Sequence, residues 1–370
     1  MVETGGWGGI AHYVWNLAGA LARADADVTL LTNTRYELEA LPRVFGVEGC
    51  FDGRHGWLRS ARRLLDRLRA LGPDVVHVQS VLSTRLDGLL WPWVRRRHAL
   101  VVTAHDARTH EDTPWEGWTV WRTLAAADAV IVHTRESANV VSRRLGAGRV
   151  VAVIHHGDYA FFEHGAAGRA EARAALGLPP GAKLLLAFGA IRPYKGISEL
   201  IAALPEIRRH EPEAHLVVAG PLLVGTEAEY RAAIERAAVG PHVTLRPAYV
   251  PHAQVAGYFR AADVAVFNYR DVTDSGALRI AASLGTPIVA SAVGGFGEFL
   301  TDGVSGRLVP PGDRGALVAA LVGTLADPGA AAKRADAARQ LAAEAWSWDT
   351  SARATQALYA RVARGAGARA

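Results

Sequence analysis

Two cations three positions apart, Arg192 and Lys195, stand in the bend Ala190-Ile191-Arg192-Pro193-Tyr194-Lys195-Gly196. An apolar run, LLLAFG, leads into the bend, and a helical pattern from Ser198 to Leu204 leaves it. Open α/β sheets bind ligands at the carboxyl ends of their strands, so this bend predicts an anion site. Arg192 can fork onto phosphate oxygens and Lys195 adds a point charge. Of 41 basic residues only Lys183, Lys195 and Lys333 are lysine, and one of the three is here. The competing reading is a surface turn with incidental charge.

Three further turns have phosphate-binding chemistry. Gly5-Gly6-Trp7-Gly8-Gly9-Ile10-Ala11 opens a helix, and Gly8 and Gly9 would let a ligand approach free N–H groups at its positive end. Gly6-x-Gly8-x-x-Ala11 matches the dinucleotide fingerprint, but Asn33 stands where that fingerprint wants a ribose-holding acid, which disfavours an NAD-dependent oxidoreductase. Asp274-Ser275-Gly276 precedes the helical run Ala277 to Leu284; Asp274 or Ser275 would cap it, and the N–H groups around Ser275 and Gly276 would hold a second phosphate. Val293-Gly294-Gly295-Phe296-Gly297-Glu298 is another glycine-rich loop, with Glu298 at its end. His105 follows the strand-like LVVTA, and His133, His155 and His156 also fall at strand ends; each is either a ligand contact or a hydrogen-bonded core histidine. No His/Asp/Glu spacing resembles a metal site.

These residues need parallel strands to aim them. Short β-branched runs alternate with helical patterns, which reads as repeated βαβ units. Strands are expected at 27–32, 74–78, 100–104, 129–132 and 150–154, then at 184–188, 215–219, 243–246, 264–267 and 287–290. A Gly/Ala/Pro-rich linker, 165–180, separates the series, with one short helix at 169–176. At 370 residues the chain suits two domains: 1–165, 166–345, and a C-terminal helix and tail at 346–370. Only four residues precede the first glycine turn, so the first strand is expected to be truncated or unusually short, with a true start upstream. The net charge of +5 does not indicate nucleic acid binding. Cys50, the one cysteine, cannot form an internal disulfide, no apolar run reaches about 18 residues, and no signal-peptide pattern opens the chain. A cytoplasmic protein is expected.

Taken in order, the motifs resemble glycosyltransferase family 4. The resemblance covers residues 5–362 and rests on GGWGGIAHYVWNLAGAL at the start, TAHD at 103–106, VIHHGDY at 153–159, FGAIRPYKG at 188–196, DSGALRIAASLGTPIVASAVGG at 274–295 and WSWDTSARATQALY at 346–359. The IRPYKG form resembles a sub-branch that builds surface polysaccharides or glycolipids. The resemblance implies an α/β GT-B fold: two Rossmann-like, doubly wound parallel-sheet domains facing a central cleft, with a C-terminal helix crossing between them. It implies a retaining enzyme that moves a sugar from a UDP- or GDP-linked donor to a saccharide, lipid-linked or small-molecule acceptor, with no cofactor and no metal. The N-terminal domain would take the acceptor and the C-terminal domain the nucleotide sugar. Arg192 and Lys195 would grip the diphosphate, Gly8 and Gly9 would reach it, and His105 would contact the transferred sugar. Asp274, Ser275, Gly276 and Glu298 would complete the donor pocket. The family's two glutamates, eight residues apart, align with Val272 and Ile280. An isoleucine cannot hold a nucleotide ribose, so the donor's identity is open. The alternative is a catalytically inactive GT-B protein serving as partner or scaffold of an active transferase. A sugar-nucleotide epimerase would need acids that the sequence does not supply.

Trp115, Trp118 and Trp121 fall on one helical face, either in the core or on an acceptor surface. In 54–71 an apolar stripe (Trp57, Leu58, Ala61, Leu64, Leu65, Leu68, Leu71) lies among arginines. Such a helix packs its stripe on the core or rests peripherally on the inner face of an anionic membrane.

Overall fold

The computed structural model of the chain describes residues 1–52, 56–79, 87–106, 114–146, 148–163 and 168–367, without the side chains of 114–116 and 365–367. The side chain of Trp115, part of the expected linker (165–167) and residues 54–55 of the basic segment lie outside the described set.

Among the described residues twelve strands follow in chain order: β1 Thr29–Asn33, β2 Gly46–Phe51, β3 Val75–Val78, β4 Ala99–Thr103, β5 Ala129–Val132, β6 Val150–Val153, β7 Lys183–Phe188, β8 Ala214–Ala219, β9 Val243–Arg246, β10 Val264–Phe267, β11 Ile288–Ser291 and β12 Arg307–Val309. Every strand pairing is parallel. Sheets buried on both faces need near-continuous apolar strands rather than alternating ones. Such runs appear as VVHV, ALVVT, AVIV, AHLVVA, VAVF and IVAS; all but the first are buried throughout.

The chain divides into two compact units, residues 1–157 with 346–370, and residues 158–345. In the first, β1 pairs with β2, and β3 to β6 form a four-stranded sheet in sequence order. The stub Met1–Glu3 joins these pieces. Val2 bridges Leu31 and Val78 in parallel, its N–H donating to His77 O (2.8 Å) while its carbonyl accepts from Gln79 N (2.9 Å). Ahead of the glycine turn, Val2 is thus the residue that bridges the two pieces.

The last helix, Trp348–Gly367, docks on this same unit. Leu358 and Val362 pack with Ala99, Val101, Ala129 and Ile131 of β4 and β5. Ser351 Oγ donates to His155 O (2.8 Å) and Gln356 Nε2 to Ala24 O (2.7 Å). The helix Trp57–Leu71 turns its stripe inward, with Leu64 and Leu68 in the core. Arg67 makes two 2.6 Å bonds to Glu48, and Arg63 pairs with Asp52 at 2.6 Å. The core therefore uses most of the stripe proposed for a membrane, and Leu58 (74 % exposed) remains outside.

His77 on β3 ties strand to helix: Nδ1 is 2.6 Å from Tyr359 Oη and Nε2 is 2.7 Å from Thr103 Oγ1. Burial, reinforced by the nearby amino terminus, pushes its pKa well below 6.5. The unfolded chain therefore takes up a proton as pH falls through 6.5 while the folded chain does not. The stabilisation is complete above pH 6.5 and is lost as pH falls below it, by up to about 1.4 kcal/mol per pH unit. We expect urea denaturation at pH 7.5 and 5.5 to show this drop, and His77→Asn to lose that part of the pH dependence. Equal pH dependence in the two proteins would contradict it.

In the second unit the order is β12-β11-β10-β7-β8-β9. The chain starts in the middle, winds outward to β9, then returns to β10 beside β7, so the winding reverses between β7 and β10. Leu185, Leu216, Val218, Val264, Val266 and Val289 centre its core.

Candidate functional site

In doubly wound sheets the crevice beyond the carboxyl ends of the strands, at the reversal of strand order, is the ligand position. Here β7 runs into Gly189–Lys195 and β10 into Asn268–Gly276. The two segments are clipped together: Arg270 N donates to Tyr194 O (2.7 Å) and Asn268 Nδ2 donates to Gly196 O (3.1 Å). Tyr194 packs edge-on against Tyr269 at 5.7 Å, and the Lys195 ammonium lies 5.2 Å from the Tyr269 ring centre. A Cβ added at Gly189 would stand 3.1 Å from Lys195 Nζ and 3.9 Å from Ala277 Cβ, so the ammonium and the helix Gly276–Ser283 both close over the end of β7. Arg192 and Lys195 are half-buried.

Gly196 closes the bend with φ +63°, and a Cβ there would lie 2.1 Å from Asn268 O. We expect Gly196→Ala to lower stability by at least about 2 kcal/mol, since left-handed strain and backbone displacement add. Chemical denaturation measures this, and a loss below about 0.5 kcal/mol would count against the clip.

Ser275 caps the helix, its Oγ accepting from Leu278 N (3.4 Å). Asp274 is turned inward. Its Oδ1 accepts from Ser275 N (2.7 Å), and both carboxylate oxygens accept from Arg279, at 3.3 and 3.4 Å. The Arg279 side chain is fully buried, with its guanidinium carbon 3.8 Å from the Phe299 ring centre. Arg279 was not anticipated from sequence, although a charge within ALRIAASL is a visible signal. With the Ser275 N–H engaged, the groups that helix geometry leaves for a ligand are the N–H groups of Gly276 and Ala277. Val272 and Ile280 are buried, and a Cβ at Gly294 (φ +49°) would fall 1.6 Å from Val272 O, so the Gly–Gly loop lies directly on this backbone. Glu298 is exposed on the short helix Phe296–Phe299.

In the first unit the glycine turn is already engaged by carboxylates. Gly5 N and Gly6 N donate to Glu3 (2.7 and 2.9 Å), and Gly8 N donates to Glu37 Oε2 (3.3 Å). Space is open at Gly8 and Gly9, where an added Cβ would meet nothing within 4 Å. Burial raises the Glu3 pKa, the bonds from Gly6, Thr32 and Gly5 opposing it.

Strands β4, β5 and β6 end side by side and bring histidines together. His133 Nε2 is 3.2 Å from His105 Nδ1, and His156 packs on His133 with ring centres 4.0 Å apart. Burial drives His105 down to about 3, so its imidazole is neutral. One nitrogen from each of His105, His133 and His156 lies within 4.8 Å of the other two. Sequence spacing gave no sign of this group, because ligands 28 residues apart form no local pattern. His155 instead faces backbone, its Nδ1 2.8 Å from His133 O. Trp121 packs toward the core and Trp118 is 43 % exposed.

The family profile described as Glycosyltransferase Family 4 matches residues 7–157, and that described as Glycosyl transferases group 1 matches 182–327. The D-inositol 3-phosphate glycosyltransferase of Xylanimonas cellulosilytica is 32 % identical over 98 % of this chain and 93 % of its own. That of Streptomyces bingchenggensis is 32 % identical over 79 % of this chain and 67 % of its own, so the chain spans about two thirds of this Streptomyces relative. Among solved structures, Anabaena HepE in complex with UDP and glucose superposes with a TM-score of 0.79 at 19 % identity, covering 97 % of this chain and 98 % of its own. Sucrose-phosphate synthase from Thermosynechococcus elongatus superposes at 0.74 with 22 % identity, covering 98 % and 95 %. With two Rossmann-like units of the GT-B kind and a full-length relative above 30 % identity, the chain is a member of glycosyltransferase family 4.

Proposed function

We propose that the chain transfers a sugar from a UDP- or GDP-linked donor to a saccharide, lipid-linked or small-molecule acceptor, with retention of anomeric configuration and without a metal in the chemical step. The observation that carries this reading is that Lys195, in the same bend as Arg192, and the start of the helix Gly276–Ser283 both close over the end of β7 at the β7–β10 reversal. HepE, a neighbour in fold, is seen with UDP-glucose, which supports a nucleotide-sugar donor.

Breaking the sugar–phosphate bond leaves negative charge on the diphosphate and positive charge on the sugar ring. Fixed cations and helix N–H groups stabilise the leaving diphosphate with little reorganisation. The departing phosphate oxygen takes the acceptor proton on the same face, so no dedicated base is required. His105, neutral, accepts a hydrogen bond from a hydroxyl of the transferred sugar. Ser275 shapes the helix start, and Glu298 borders the donor pocket. The first unit takes the acceptor, with Gly8 and Gly9 offering open space for a ligand to approach the glycine turn. Peripheral contact with an anionic membrane through 54–71 would use the Leu58 side of the helix, because Leu64 and Leu68 face the core. Salt-sensitive sedimentation with anionic liposomes is its test.

The deciding experiment is a thermal-shift screen of UDP-, GDP-, ADP- and CMP-sugars, followed by product NMR. Stabilisation by one nucleotide class and a product keeping the donor's anomeric configuration are expected. No shift with any nucleotide sugar, or an inverted product, overturns the reading. The alternative, an inactive partner of another transferase, rests on apolar Val272 and Ile280 in place of glutamates; hydrolysis of the bound nucleotide sugar, however slow, rules it out.

A further inference from the structure

We propose that His105, His133 and His156 form a binding site for one divalent transition-metal ion, Zn2+ foremost. This is independent of the transferase reading. His133 Nδ1 lies 2.8 Å from Ile154 O, so this nitrogen carries the proton, and the Nε2 lone pair faces inward. A ring nitrogen tied to a backbone carbonyl is the usual support of a metal-binding histidine, because it fixes both tautomer and ring orientation. That lone pair meets His105 Nδ1 at 3.2 Å. Imidazole nitrogens about 2.0–2.1 Å from a tetrahedral ion stand roughly 3.3 Å apart, so this pair already has the separation of two ligands. His156 completes the set with its ring nearly perpendicular to both others, at 78° to His133 and 82° to His105.

The enclosure of the cluster favours a metal over a purely structural group of rings. Three parallel strands hold the three rings, and Tyr13 walls them off, its ring 4.8, 5.0 and 4.7 Å from those of His105, His133 and His156, with Trp348 behind it at 5.2 Å. A carboxylate-free imidazole set selects Zn2+, Cu2+, Ni2+ or Co2+ over Mg2+ and Ca2+. Three protein ligands leave a fourth position for water or a ligand oxygen. Because the ion would occupy His105, it would compete with any use of that imidazole toward substrate.

The test titrates ZnCl2 into the metal-stripped full chain against a chromophoric chelator, with CoCl2 as a spectroscopic probe of tetrahedral nitrogen coordination. We expect one Zn2+ per chain and a tetrahedral Co2+ spectrum. Affinity should fall at least about tenfold in His133→Ala and in His156→Ala, and stay unchanged in His98→Ala, remote from the cluster. Zn2+ affinity unaffected by His133→Ala and His156→Ala overturns the proposal, as does equal competition by MgCl2. Should the alanine variants fail to fold, His156→Gln, which keeps size and hydrogen bonding but ligates zinc poorly, decides by the same two outcomes.

Discussion

Replacing Arg192 or Lys195 by alanine should lower kcat for sugar transfer by about a hundred- to a thousandfold, equivalent to about 3–4 kcal/mol of transition-state stabilisation. Both side chains are only half-buried, and neither belongs to the unit's apolar core. Their loss should therefore leave the melting temperature near that of the parent chain. The distribution of the effect is informative. A cation that binds ground state and transition state alike would raise KM and spare kcat, whereas one matched to the charge on the leaving diphosphate lowers kcat and kcat/KM together. The second pattern is expected, because charge accumulates on the diphosphate only as the bond breaks. Steady-state kinetics with the donor found by thermal shift measures it, and near-parental turnover in both variants refutes the assignment.

Contiguity explains what the sequence revealed. The Arg192–Lys195 bend is legible because strand, bend and helix follow one another within a few residues, so the order of apolar run, cations and helical pattern is itself the signal. The same holds for Ser275, which caps the helix it precedes. Strand β2 was missed because Gly46 and Gly49 interrupt its apolar pattern and four of its six residues are not buried, and β12 is only three residues long. Long-range closure is the harder part. Glu3 and Glu37 occupy N–H groups of the glycine turn, and Glu37 does so from 29 residues away. The three histidines converge only because β4, β5 and β6 are consecutive neighbours in one sheet. Sequence reading placed each histidine at a strand end without giving the strand order that makes them a cluster.

Asp274 and Arg279 provide the second large effect, on stability rather than chemistry. The pair is withdrawn from water, with side-chain exposures of 5 % and 0 %. Removing one member of a buried ion pair leaves an uncompensated charge and costs about 3–5 kcal/mol, while replacing both with apolar groups is often neutral. Asp274→Ala should accordingly lower unfolding free energy by about 3–5 kcal/mol, and the double variant Asp274→Ala/Arg279→Leu should recover most of that loss. Chemical denaturation of the single and double variants reads both. A loss below about 1 kcal/mol in Asp274→Ala would mean that the guanidinium finds other acceptors or water. The pair also bears on the anion site. Asp274 Oδ1 holds the Ser275 N–H and so fixes where the helix begins, and a double variant that refolds with full stability yet binds the nucleotide sugar more weakly would separate this positioning role from the energetic one. A site whose N–H groups must meet a phosphate within a few tenths of an ångström needs its helix start pinned, and the buried pair Asp274–Arg279 supplies that pin.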